Sequence, residues 1–370
     1  MILLAIGPSP GALRAPDIIR ELATAGHRVE VVLQPNTEYF VGPAAFMALA
    51  PVVEEPTELP EAVIFAPAGA GELARLARGL DDGVAKHSYC SSDRPVVVAP
   101  ELDEATREHP AVRENVRLLR EDGRRVLEGS GDGMVSPLAV ANEALNALGG
   151  PMSGLRVLVT AGGTREPIDK VRFVGNRSSG KMGRAVAREA LRRGAEVTVV
   201  AASVEEKEPG TRWVDVESYA ELEEATVRFV GEVDALVMAA AVSDFTPAEI
   251  VEGKIRRGGS KELELKLVAT GDILKAVRES NPGLFMVGFA ATHGDPVADA
   301  REKLESKNVD LVVGNDVSLS GSGFSSDENE VHIVGRAGEQ FVSRAPKTEV
   351  ARAILDALTR EIGEKEVRKD

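Results

Sequence analysis

Five apolar residues, ILLAI (2–6), open the chain, and a Gly/Pro loop, GPSPG (7–11), follows them. A helical spacing of apolar residues over 18–25 stops at Gly26, and VEVVL (29–33) then has the character of a strand. The same order returns at LRVLVTA (155–161), with a long polar loop, a helical pattern over 180–193, Gly194, and EVTVVAA (196–202). Strand, loop, glycine-terminated helix and second strand make a β-α-β unit, and near-continuous apolar strands belong to a parallel sheet covered on both faces. Further strands are expected at 61–66 and 94–99, then at 234–241, 285–289, 309–313 and 331–335. Helical patterns fall between them, at 219–230, 296–307 and 348–361. The fold predicted is α/β, with two Rossmann-like domains, each a mostly parallel sheet flanked by helices. ALGGPMSG (147–154) carries the Gly/Pro punctuation of a linker and sets domains of 1–148 and 152–365.

At 370 residues, 43% hydrophobic and 28% charged, the chain is long enough for two cores and too apolar for a disordered protein. The net charge of -15 argues against a general nucleic-acid binder, whose affinity rests on neutralising phosphates. It leaves room for a small phosphorylated ligand, because a local basic cluster overrides a distant acidic surface. The single cysteine, Cys90, cannot form a disulfide within the chain, which suits a reducing compartment. The first residues read as a strand and not as a leader, and no run reaches the roughly 18 apolar residues of a membrane span. A cytoplasmic protein is expected.

The loop after the strand at 155–161 is rich in glycine and cations: Arg165, Lys170, Arg172, Arg177, Lys181 and Arg184. It lies at the carboxyl end of a strand, where open α/β sheets bind ligands, and it leads into a helix whose first N–H groups attract anions. Ser178 and Ser179 are positioned to cap that helix. GNRSSGKM (175–182) nearly matches a P-loop, but Met182 stands where the metal-binding hydroxyl would be.

TAGGTREPIDKVRFVGNRSSGKMG (160–183) resembles the signature of phosphopantothenate–cysteine ligase, usually the C-terminal half of a bacterial bifunctional coenzyme A biosynthesis protein. AAAVSDF (239–245), KIRR (254–257), ATGDIL (269–274), VGFAAT (287–292), AREKLESKNVDLVVGNDV (300–317) and GFSSDENEVHI (323–333) extend the likeness in order. The resemblance implies CTP and Mg²⁺ as reaction partners, 4'-phosphopantothenate and L-cysteine as substrates, and an acyl-cytidylate between them. It implies Asn176 at the acyl-cytidylate, Arg172 beside it, and Lys254 at the triphosphate. Gly163, Thr164, Asp244, Gly271, Asp272, Ile273, Leu274, Phe289, Lys303 and Lys307 match substrate and nucleotide positions. No protein ligand set for a metal is assigned. Asn315 and Asp316 are expected along the same cleft. KIRR departs from the family's K-x-K-K by placing Arg256 and Arg257 for lysines, and Gly253, Gly258 and Gly259 make the segment a candidate flap. Bacterial relatives of this kind use CTP and others ATP, and a homodimer through the ligase domain is implied.

Residues 1–137 resemble the family's flavin-dependent decarboxylase in outline, through 29–50, 65–83 and 108–123. The reacting residues do not follow. The stretch 50–62 holds no histidine, ELDEATR (101–107) replaces an Asn-bearing motif, and EGSGDGMVSP (128–137) holds no cysteine. A degenerate decarboxylase-like domain without FMN is expected. The alternatives are an active bifunctional ligase and decarboxylase, or a non-catalytic nucleotide-binding module. A Rossmann oxidoreductase is disfavoured because neither opening strand leads into G-x-G-x-x-G.

Overall fold

The computed structural model describes residues 1–80, 94–129, 133–256, 262–318 and 326–367, with side chains to 363. Cys90, Arg257, Gly258 and Gly259 lie outside the described residues. Two compact units emerge: Met1–Ser153 with Arg192–Gly194, and Gly154–Leu191 with Ala195–Asp370.

The first unit runs β1 (Ile2–Ile6), α1 (Ala15–Thr24), β2 (Val29–Leu33), β3 (Ala62–Ala68), α2 (Ala70–Ala77), β4 (Val96–Pro100), α3 (Glu104–Glu108), α4 (Pro110–Glu121), β5 (Arg125–Val126) and α5 (Pro137–Ala147). Its sheet has the order β2-β1-β3-β4-β5, with every pair parallel. Alternation along β1 separates the two cores. Ile2, Leu4 and Ile6 pack with Ile18, Ile19 and Val140 from α1 and α5. Leu3 and Ala5 join Leu73, Leu76, Val112 and Leu119 from α2 and α4 on the other face. The double coverage explains why the strands carry no polar face.

The second unit runs β6 (Arg156–Gly162), β7 (Arg165–Pro167), β8 (Phe173–Gly175), α6 (Lys181–Arg192), β9 (Glu196–Ala202), β10 (Arg212–Val216), α7 (Tyr219–Val230), β11 (Ala235–Met238), β12 (Phe245–Pro247), β13 (Leu267–Ala269), α8 (Ile273–Ser280), β14 (Phe285–Thr292), α9 (Pro296–Ser306), β15 (Leu311–Asp316), β16 (Glu328–Gly335), β17 (Gly338–Pro346) and α10 (Lys347–Val367). Its main sheet has the order β10-β9-β6-β11-β14-β15-β16-β17. The pairs from β10 to β15 are parallel, and β16 and β17 add an antiparallel end. Leu158, Leu236, Met286 and Val312 form one core with Leu222, Phe229, Val277 and Leu304.

Three expectations need correction. The strand expected over 234–241 ends at Met238, where the ladder is interrupted: the Ala240 N–H turns to Thr160 Oγ1 at 3.1 Å, and pairing resumes only as an isolated bridge between Ala241 and Gly163, with the Ala241 N–H donating to the Gly162 carbonyl at 2.8 Å. The strand expected at 331–335 is the second half of a longer one, which hairpins into β17. The long loop after β6 is not irregular throughout, since β7 and β8 pair within it as an antiparallel ribbon.

Candidate active site

The carboxyl ends of β11, β14 and β15, with the segment that follows β8, open onto a cavity of about 650 Å³, in the range of small-molecule sites. Glycine lets the segments behind it pack closely. Gly162 has φ +85°, and a Cβ there would stand 1.9 Å from the Ala202 carbonyl oxygen. Gly183, inside α6, would carry its Cβ 2.6 Å from that of Ala161 and 2.9 Å from the Thr160 carbonyl oxygen. The helix therefore rests against the strand backbone, and its first residues Lys181 and Met182, with Gly180 just before them, line the cavity.

Asn176 lines this space, and its side-chain amide donates to the Val242 carbonyl at 2.9 Å, which fixes how the group faces the cleft. Asp244 lines it as well, and its carbonyl accepts the Thr270 N–H at 3.0 Å. The Thr270 hydroxyl donates to the Ser243 carbonyl at 2.8 Å, so the segments 241–245 and 270–274 are laced together. Gly271 lies against the Tyr219 hydroxyl, which a Cβ would meet at 2.3 Å. That hydroxyl donates to Glu223 at 2.6 Å; burial and the neighbouring carboxylate push its pKa well up.

Asp272 caps α8, accepting the Lys275 N–H at 3.1 Å, and it also accepts a hydrogen bond from the Lys307 ammonium. Burial works to raise its pKa, but these bonds and the charges of Lys307 and Lys303 outweigh burial and hold the carboxyl below its usual range. Lys303 donates to the Phe289 carbonyl at 2.5 Å. Burial first, and the charge of Lys307 second, press the Lys303 pKa down. Ile273, Leu274 and half-buried Phe289 supply apolar lining, so the cleft has an aromatic face with two ammonium groups at its edge.

Five expected residues stand apart from that lining. Thr164 is fully buried, and its hydroxyl accepts the Ser243 N–H at 2.9 Å. Gly163 admits the loop 176–178, whose Asn176 carbonyl oxygen a Cβ would meet at 3.0 Å. Both act on the site by positioning the segments that form it. Arg172 pairs with Asp169 at 3.2 Å and donates to the Ile255 carbonyl at 3.1 Å, while Asp169 accepts the Ile255 N–H at 3.0 Å. Arg172 is thus joined to the segment carrying exposed Lys254, and neither lines the cavity. Asn315 lines it; Asp316 instead accepts the Ser318 N–H at 2.8 Å.

Two further lining residues, Asn329 and Lys347, are both buried; Asn329 falls within the stretch 323–333 without having been singled out there, and Lys347 lies outside every stretch of the resemblance. Lys347 donates to the Ser326 carbonyl at 2.6 Å, and burial, then the charge of Lys181, lowers its pKa. Lys181 is paired with Asp327 at 2.6 Å. A lysine at the start of a helix is ordinarily a surface residue, so no sequence signal distinguishes Lys347. Among the described residues no group of three or more His, Cys, Asp or Glu side chains is arranged to hold a metal ion.

Residues 152–362 match the family model described as the DNA/pantothenate metabolism flavoprotein C-terminal domain, and residues 1–148 match the flavoprotein model. The coenzyme A biosynthesis bifunctional protein CoaBC of Mycolicibacterium smegmatis is 36% identical over 400 residues, covering 96% of each chain. This chain belongs to the CoaBC family. The Bacillus subtilis CoaBC is 32% identical and covers 98% of each chain. The crystal structure of the DNA/pantothenate metabolism flavoprotein from Streptococcus pneumoniae covers 56% of this chain and 100% of its own at a TM-score of 0.50 and 24% identity, a likeness of fold. Among the described residues no helix is long and apolar enough to cross a membrane.

Proposed function

We propose that the C-terminal unit joins 4'-phosphopantothenate to L-cysteine at the expense of CTP, as a step of coenzyme A biosynthesis. The observation that carries this reading is the single cleft that gathers Asn176, Asp244, Gly271–Leu274, Phe289, Lys303 and Lys307 at the carboxyl ends of parallel strands. Membership of a family whose relatives are called coenzyme A biosynthesis proteins supports it.

The chemistry asks for cations and a fixed amide, and the cleft has both. A substrate carboxylate attacks the α-phosphate of the nucleotide, a phosphoanhydride bond breaks, and pyrophosphate leaves. The cysteine amine then attacks the resulting mixed anhydride, forms the amide, loses a proton and releases CMP. Charge grows on phosphate oxygens in the first step, so Lys303 and Lys307 at the cavity edge stabilise it. Phe289 offers a face on which a base can stack. The Asn176 amide is neutral, so it donates to the acyl region without competing as a nucleophile. Magnesium is commonly held by one or two carboxylates with substrate phosphates, and Asp244, exposed at the cleft, fits that need. Bound there, the ion would neutralise phosphate charge.

Arg172 and Lys254 enter this reading from a neighbouring surface. Val171, Phe173, Phe245, Ile250, Val251, Leu267 and Val268 are exposed on the two ribbons and beside them, an apolar concentration that suits a second copy of this chain. A homodimer through this unit is therefore part of the proposal, and sedimentation of the intact protein as a monomer at micromolar concentration would remove it.

The first unit, in this reading, keeps the fold of a flavoprotein without flavin-dependent decarboxylation. The motivation is the absence of a histidine in 50–62 and of a cysteine in 128–137. The full-length match to proteins named bifunctional favours the second reading, an active decarboxylase. Decarboxylation of phosphopantothenoylcysteine by the purified protein would establish that second reading. For the nucleotide, competition between CTP and ATP is the test: product containing CMP in preference to AMP is expected, and a preference for ATP would overturn the assignment.

A further inference from the structure

The first sheet reverses its strand order between β1 and β3. An open parallel sheet binds its ligand beyond the strand ends at such a reversal, and sheets of this order hold a flavin phosphate there. In this chain every backbone donor of the loop after β1 is already engaged by the protein. The Gly7 N–H donates to the Pro67 carbonyl at 3.1 Å, the Ser9 N–H to the Gly7 carbonyl at 3.1 Å and the Ala12 N–H to the Ser9 carbonyl at 3.0 Å. Pro8 and Pro10 have no N–H to give. The remaining donors, the Gly11 N–H at 2.8 Å and the Ser9 hydroxyl, both go to one oxygen of the Glu101 carboxylate.

Glu101 is held for this. It follows the last residue of β4, and its own N–H donates at 3.0 Å to the carbonyl of Ala68, the last residue of β3. From there its side chain reaches back to the loop after β1. Gly11 permits the approach, because a Cβ would stand 2.6 Å from the same carboxylate oxygen. A phosphate brought here would meet a carboxylate instead of free donors, and Arg14, the first cation after the loop, donates to the Met134 carbonyl at 3.3 Å. The residues at this crevice do not fit FMN.

We propose that Glu101 is a built-in anion: its carboxylate occupies the switch-point crevice of the first sheet and excludes the phosphate of a flavin mononucleotide. The inference rests on reading this unit as flavin-free and supplies the residue responsible.

Titration of the full chain with FMN, followed by flavin fluorescence, and with inorganic phosphate, followed by calorimetry, tests it. The wild-type protein, Glu101→Ala and Glu101→Gln are compared, with thermal unfolding and pyrophosphate release by the C-terminal unit as checks on folding. Glu101→Gln keeps the acceptor oxygen and the packing, so it is expected to fold as the parent does. No FMN binding is expected for wild type, and Glu101→Ala is expected to bind phosphate and FMN at least about tenfold more tightly than wild type, with Glu101→Gln between them. If both variants are as inert as wild type, Glu101 is not the plug, although the flavin-free reading survives. Tight FMN binding by wild type would overturn the plug and that reading together.

Discussion

Lys303 is the residue whose ionisation the cleft alters most plainly in a way that bears on substrate. Burial and Lys307 lower its pKa, so its charge is lost at a lower pH than for a solvated lysine. An anionic nucleotide favours the protonated form, so binding draws a proton. The KM for nucleotide should therefore rise as pH climbs through the depressed value, below the ordinary lysine range, and Lys303→Arg should move that rise to higher pH. A KM flat to the alkaline limit would contradict the placement. Asn176→Asp sets a like charge beside an anionic intermediate and should reduce kcat by about 100-fold or more in single-turnover assays, with nucleotide consumption slow and the acyl-cytidylate trapped or absent. Lys254→Gln should block cytidylyl transfer itself, and near-parental turnover in it would remove that residue from the mechanism. Lys347→Met is the test of a residue that sequence did not reveal. It deletes a buried charge with little change of shape, so thermal stability should hold or rise while the KM for an anionic substrate increases by about tenfold or more. Loss of stability with unchanged KM would make Lys347 a purely structural cation.

Elements explain why some of this was legible. The strands of both cores are buried on both faces and read as continuous apolar runs, so β1, β2, β6 and β9 stand out in the sequence. Lys303 and Lys307 are four residues apart at the end of α9, and helical spacing alone puts them on one side. The ribbons β7–β8 and β12–β13 have three-residue strands, too short for a period, and the second joins segments 20 residues apart. The edge strands β10 and β17 are largely solvated, and their mixed composition hides them. The packing of α6 carries its own prediction. Gly183→Ala gains about 1 kcal/mol of helix propensity, but its Cβ meets strand backbone that cannot yield cheaply. The clash should win, lowering stability by about 1–3 kcal/mol in denaturant unfolding and displacing Gly180 and Lys181 from the cleft. Unchanged stability would show that helix and strand separate without cost.

At the scale of the whole molecule, two sheets of related design hold different contents at their strand ends. The second sheet opens its carboxyl end into a cavity with ammonium groups, while the first closes its crevice with a carboxylate. The resemblance in sequence pointed to both halves, but only the geometry shows Glu101 reaching from one strand end to the loop of another, a contact between positions 90 residues apart. No local pattern encodes such a pairing. The account stands or falls on the second cavity performing ligation. Pyrophosphate release by the intact protein, measured with 4'-phosphopantothenate, CTP and Mg²⁺ and then with L-cysteine added, tests that most directly. The account predicts release that requires phosphopantothenate and becomes multiple-turnover when cysteine is supplied. No release with any combination of these substrates would contradict it.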